Sequence, residues 1–286
     1  GTGSFGDHGD IDARGGAVTA NGTNGIGIYV GGRGNLNTTN TAIATTGAGS
    51  RGVVIDSGAV GILNGGTISA SGANSTALYV MGPTGSATLT GTTLTSALGA
   101  GATSNAGGTF TLNGATVSGG SSAIAITDTT MSSDLSTVNV NGGSLAATAG
   151  STIDVNGARA AIAIANNASL TSSTGTLLNL RNASRATVNV DNTRLTGNLL
   201  GDATSTGAVT LRNGSALTGY VDTMGLAIDG TSAWNVTANS RLTSLSNGNV
   251  ITFVAPTGPA TAASSYKTIT TNSYVGNNAT LAINTF

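Results

Sequence analysis

The sequence of 286 residues contains no cysteine, no glutamate and no glutamine, and lysine occurs once, at Lys267. There are three prolines, one tryptophan and one histidine. Charged residues make up 7% of the chain, against about 25% in an ordinary soluble domain. Without cysteine there is no disulfide scaffold and no thiolate zinc site. Glutamate, glutamine and lysine are staple helix formers, so a helical or α/β enzyme is not expected. Ten basic residues set against eleven acidic ones leave a net charge of -1. That gives no dense cationic face to neutralise phosphates, so nucleic acid is not an expected partner. No run of about 20 apolar residues exists to form a transmembrane helix. Disorder is not expected either, because 38% of residues are apolar and the chain is close to neutral. The chain begins at Gly1 without a charged and apolar leader, as expected of a mature product.

What is abundant is glycine, 45 residues, together with Asn, Ser and Thr, arranged in repeats. One unit places two apolar residues at i and i+2 before a polar turn. It reads Val60-Gly61-Ile62-Leu63-Asn64-Gly65, and then returns beginning at Ala87, Phe110, Val138, Val188 and Val209. Trp234-Asn235-Val236-Thr237 reads as its last copy. A double-length gap between Asn141 and Asp191 predicts a hidden copy ending at Asn166. A second strand type is aliphatic: Ile26–Val30, Val53–Ile55, Leu78–Val80, Ile124–Ile126, Ile162–Ile164 and Leu177–Leu180. A third follows the Asn-Gly turn: Thr67–Ala70, Thr116–Ser118, Ser144–Ala146 and Arg194–Thr196. All have the two-residue period of strands.

Three short strands in each repeat of about 24 residues predict an all-β fold, a right-handed parallel β-helix. Each coil is too thin to bury its own apolar side chains, and stacking buries them in a continuous core. The chain makes roughly 11 to 12 coils, a rod roughly 55 Å long at about 4.8 Å per coil. The alternative is a β-sandwich or propeller, since Asn-Gly also makes hairpins. The repeats carry no Trp or Tyr marker and no blade period near 40 residues, which counts against it. Residues 1–230 read as the stalk and 231–286 as terminal coils with an aromatic cap.

That last stretch changes character. A Trp-containing strand (Trp234) is followed by a Ser-x-x-x-x-Leu unit (Ser240, Leu245) and a strand Val250-Ile251-Thr252-Phe253. Then come Tyr266-Lys267, a turn at Gly276, and Leu281 with Asn284-Thr285. Elements of these types in this order resemble the end of the secreted passenger of pertactin-like autotransporters. The turn reads Gly276-Asn277-Asn278 where that family has Gly-x-Gly. The resemblance implies that Trp234, Ser240, Leu245, Phe253, Tyr266, Lys267, Gly276, Leu281, Asn284 and Thr285 form the autochaperone, a stable cap that helps start folding outside the cell. It further implies a Gram-negative cell surface or extracellular location, with membrane attachment only through a C-terminal β-barrel beyond this chain. Family passengers cross a narrow pore unfolded and tend to lack cysteine, as this chain does.

Candidate chemistry is sparse. His8, the only histidine, lies in a Gly-rich segment without a nucleophile pattern and reads as a loop residue. Asp10-Ile11-Asp12 is half of a calcium loop, without the closing Glu. Asp56-Ser57-Gly58 resembles the serine motif of protease-bearing autotransporters, but it follows Ile55 rather than Gly and reads as a turn. Paired carboxylates of a β-helix glycan hydrolase would need two Asp stacked on one face about 5 to 9.5 Å apart. Asp128 and Asp134 are close in sequence, as are Asp222 and Asp229, and the spacing of Asp202 and Asp229 suggests stacking. Arginines favour the second half (Arg159, Arg181, Arg185, Arg194, Arg212, Arg241), where they read as scattered solvated charge or as help for an anionic ligand such as a glycosaminoglycan. Thr-x-Thr pieces at Thr88 and Thr93 are not repeated on every coil, as an ice-binding face requires. Asn-x-Ser/Thr triplets follow from composition.

The expectation is therefore a non-enzymatic adhesin rod with no catalytic, metal or cofactor site. Its partner would be a second copy of itself, or a host surface protein or glycan. The alternatives are a passenger that binds one host protein, such as a complement regulator or matrix component, and a polysaccharide-degrading β-helix enzyme.

Overall fold

The computed structural model describes residues 9–255, 266–277 and 279–282. His8, Pro256, Pro259, Asn284 and Thr285 lie outside the described residues. Among the described residues there is no helix, and the strands form one 26-stranded and one 5-stranded sheet. Every strand pairing is parallel, from Asp10–Arg14 beside Asn35–Thr39 to Val250–Phe253 beside Thr280–Ala282. Hairpins pair antiparallel strands, so this pattern excludes the sandwich. The molecule is a parallel β-helix.

Three rows of strands run its length. Row one passes through Val60–Asn64, Thr109–Asn113, Leu135–Asn141, Arg185–Asp191 and Thr206–Arg212. The hidden copy is there: Arg159–Ala165 pairs with both Leu135–Asn141 and Arg185–Asp191 and ends one residue before Asn166. Row two holds the strands after the Asn-Gly turns, such as Thr116–Gly119 and Ser144–Ala147. Row three holds aliphatic strands such as Ile26–Val30, Arg51–Ile55 and Thr176–Arg181.

Two strand assignments differ from the sequence reading. Ile162–Ile164, read as a row-three aliphatic strand, is the hidden row-one strand, and Ile153–Asn156 fills row three at that level. Ala233–Val236, which carries Trp234, lies in row two beneath Ala216–Gly219, while the row-one strand there is Met224–Ile228. The apolar-x-apolar signature is shared by both rows, so a strand's row is set by its distance from neighbouring coils. That distance falls from 25 residues between Asp10 and Asn35 to 17 between Gly214 and Thr231.

The core is built from columns of inward side chains. In row one, Leu36, Gly61, Ala87, Phe110 and Val138 stack in register. The small Gly61 and Ala87 leave room for Phe110, which is fully buried, as close packing at constant coil spacing requires. The turn after row one explains much of the glycine and asparagine. Its first residue is left-handed in coil after coil: Asn40, Gly65, Gly91, Gly114, Gly142, Asn166, Asn192, Asn213. Only glycine and, at modest cost, asparagine adopt that conformation routinely. The N–H groups there reach the next coil, as in Gly65 to Thr90 O at 2.8 Å and Gly114 to Asn141 O at 2.9 Å. All three rows continue past residue 230: Trp234 pairs with Ile251, Leu245 with Tyr274, and Ser240 with Ile269.

Candidate functional site

The residues assigned to the cap occupy the last coils. Trp234 is fully buried, stacked between Leu217 and Ile251. Its indole N–H donates to Gly219 O at 2.9 Å. Leu245 is buried under Leu226 in row one and shares one hydrophobic core with Trp234, while Phe253 is half-buried below Val236 and packs on that core. Ser240 is buried; its hydroxyl accepts from the Val221 N–H at 3.3 Å and donates to Ala238 O at 3.2 Å. Leu281 pairs beneath Ile251. The fold therefore brings Trp234, Ser240, Leu245, Phe253 and Leu281 onto adjoining rungs. Tyr266 is exposed, Lys267 is half-buried, and Gly276 is exposed at the end of Tyr274–Gly276. A cavity of about 440 Å³ lies among Leu245, Ile251, Phe253, Lys267, Ile269 and Tyr274.

The aspartates act as braces between coils. Asp202 accepts from the Asn182 N–H at 2.7 Å and from Thr204 and Ser205 of its own turn. Asp229 does the same one turn type later, accepting from the Asn213 N–H at 2.8 Å and from Thr231 and Ser232. Asp202 sits in the turn from row three to row one, and Asp229 in the turn from row one to row two. The stacking expected from their spacing therefore does not occur. Each carboxylate takes an N–H that a backbone carbonyl takes elsewhere, as in Gly157 to Arg181 O. For Asp202 the Asn182 N–H, Thr204 and Ser205 hold the carboxyl well below the usual range. For Asp229, burial pulls the pKa up, but the N–H groups of Asn213 and Thr231 outweigh it and bring it to about 2.

Other charges pair along the outside. Arg181 meets Asp154 at 2.8 Å, Arg212 meets Asp191 at 2.9 Å, and Arg241 meets Asp222 at 2.9 Å, each one coil apart. Asp222 and Asp229 are thus committed to different partners. Asp12 pairs with Arg14, and Asp10 accepts from Asn35 at 2.8 Å. Asp56 caps the Ser57 N–H and accepts the Tyr29 hydroxyl at 2.6 Å. That bond, then burial, pushes the Tyr29 pKa up to about 12. Asp128 organises its own loop, accepting from the N–H groups of Thr130, Ser132 and Ser133. The sequence reading missed these braces. The signal was present: Arg181-Asn182-Ala183-Ser184 with Asp202-Ala203-Thr204-Ser205 repeats as Arg212-Asn213-Gly214-Ser215 with Asp229-Gly230-Thr231-Ser232.

On the outer side of row one, the strands from Asn35 to Asn141 carry no charged residue, while Asp12 and Arg14 precede them and Arg159, Arg185, Asp191 and Arg212 follow. One column runs Asn37, Ile62, Thr88, Thr111, Asn139, Ala163, Asn189, and the next runs Thr39, Asn64, Thr90, Asn113, Asn141, Ala165. Asn139 Nδ2 donates to Thr111 at 3.3 Å and Asn141 Nδ2 to Asn113 at 3.0 Å. Each amide has two N–H donors and a carbonyl, so hydrogen-bonding capacity still faces outward.

Scanned against models of known protein families and against curated protein sequences, the chain matches none. Among solved structures it is similar to the autotransporter UpaB from E. coli strain CFT073. The TM-score is 0.57 at 16% sequence identity, over 96% of this chain and 74% of that one. The similarity is one of fold.

Proposed function

We propose that this chain is the passenger of an autotransporter, displayed at the surface of a Gram-negative bacterium, and that it works as an adhesin through rod-to-rod association. The observation that carries the reading is the charge-free stretch of Asn and Thr ladders on the row-one strands from Asn35 to Asn141. Over that stretch no charges face outward from the strands, so little repulsion opposes contact between two of them. Asn and Thr supply donors and acceptors that pair across an interface. Each bond nets only about 1 kcal/mol, so useful strength comes from many rungs engaged together. The UpaB-like fold and the autotransporter-like order of Trp234, Ser240, Leu245 and Phe253 support the passenger part of the reading. The test is sedimentation velocity over a wide range of protein concentration, combined with cell settling when the chain is displayed on a surface. Concentration-dependent association and faster settling are expected. A strict monomer at high concentration with unchanged settling overturns self-association.

A further inference from the structure

Most other arginines on row one and row three pair with an aspartate, and Arg51 lies over the Tyr79 ring at 4.0 Å. Arg14, Arg181, Arg212 and Arg241 each meet an aspartate within 3 Å. Arg159 and Arg185 instead stand directly over one another, in register at the start of adjacent row-one strands. The strands are about 4.8 Å apart, and like charges facing each other across a strand pair destabilise it. The same column holds Leu135 above and Thr206 below, so a neutral residue fits this position.

The turn just before this column carries an extended loop. Residues 128–134, Asp-Thr-Thr-Met-Ser-Ser-Asp, occupy the space that Gly157-Ala158 fills one coil on. Five hydrogen bonds to the Asp128 carboxylate, from Thr130, Ser132 and Ser133, hold the loop in shape. Arg159 is tied to it, donating through Nη1 to Ser133 O at 3.1 Å. Loop and arginines enclose a cleft of about 470 Å³ lined by Asp128, Met131, Ser133, Arg159, Ala183 and Arg185. No ion pair is formed by Arg185 among the described residues. The Asp128 charge is spent on the loop's own N–H and hydroxyl groups, which also keep it ionised.

We propose that this cleft binds a single oxyanion group carried on a sugar, a carboxylate or a sulfate ester. The guanidinium groups of Arg159 and Arg185, both lining the cleft, clamp the anion, and Met131 lies against the ring. Guanidinium forks suit planar, bidentate recognition of oxyanions. A bound anion also removes the repulsion between Arg159 and Arg185, so binding and coil stability are coupled. The site lies at the start of the strands whose Ala163 and Asn189 belong to the ladder columns, and anion binding there does not rest on rod association.

The test is amide NMR titration of the whole chain, at constant ionic strength, with glucuronate in one arm and glucosamine 6-sulfate in the other. Saturable shifts confined to residues 128–134, 157–159 and 183–185 in either arm support the site and identify the anion it takes. The Arg159→Gln/Arg185→Gln variant should abolish them, and Arg194→Gln, on row two, should leave them intact. A thermal melt supplies the second readout: Arg185→Gln alone should melt at or above the parent temperature, and the ligand should no longer raise its Tm. Absent or non-saturable shifts in both arms, or shifts that persist in the double variant, overturn the proposal.

Discussion

Trp234→Phe separates a residue that starts folding from one that is merely buried. The substitution keeps an aromatic ring between Leu217 and Ile251 but removes the N–H that satisfies Gly219 O. An orphaned buried carbonyl costs about 1 kcal/mol at least, and the smaller ring gives up about another 1 kcal/mol of burial. The total is about 2 kcal/mol. If the C-terminal coils form first, most of that loss is already present in the folding transition state. A φ of about 0.7 puts about 1.4 kcal/mol into the folding barrier, a roughly tenfold slower refolding rate. Phe110→Leu is the matched control, because Phe110 is equally buried but lies mid-rod in row one. Its cost of about 1 to 1.5 kcal/mol should appear as faster unfolding, with refolding within about twofold of the parent. Far-UV circular dichroism after dilution from denaturant reads both rates without relying on the sole tryptophan. A Trp234→Phe chain that refolds at the parental rate and only unfolds faster refutes the cap as a folding nucleus.

Further outcomes follow from the stacking of turns and faces. In Gly72→Ala the new Cβ would lie 2.0 Å from Gly47 O of the preceding coil. The melting temperature should therefore drop by far more than for Gly91→Ala, where only the left-handed backbone resists, at about 1 kcal/mol. Asp229 is held at about 2 against an ordinary 3.8. Its stabilisation is complete above about pH 4 and is lost as pH falls toward 2, worth roughly 1 kcal/mol after allowing for solvent screening. Denaturant midpoints of Asp229→Asn and parent should thus differ at pH 7 and converge near pH 2, and a constant gap would contradict the brace. Thr111→Lys with Asn139→Lys places like charges on adjacent rungs of the ladder face, in register. Sedimentation should then show a monomer at concentrations where the parent associates, with association partly restored by high salt.

The rows were legible wherever coil length stays near 25 residues, because a strand's place then follows from its distance to the last one. Phe110, Val138 and Val188 fall into row one on that count, and Asn166 marks the hidden strand. Past residue 197 the coils shorten, and the same count fails. Trp234 then looked like a row-one strand, and Asp202 and Asp229 looked like a stacked pair although they stand at different corners. The same dependence hid the ion pairs. Arg181 and Asp154 are 27 residues apart, while Arg241 and Asp222 are 19 apart. No fixed period finds both: Arg241 is in register with Asp222, while Arg181 stands two residues beyond Asn179, the register partner of Asp154. In a thin solenoid, chemistry is carried by residues one coil apart, so the local coil length has to be known before charges are paired. Applied along this chain, the rule neutralises Arg181, Arg212 and Arg241 against aspartates of the preceding coil. It leaves Arg159 facing Arg185, beside the one turn of its column that expands into a loop.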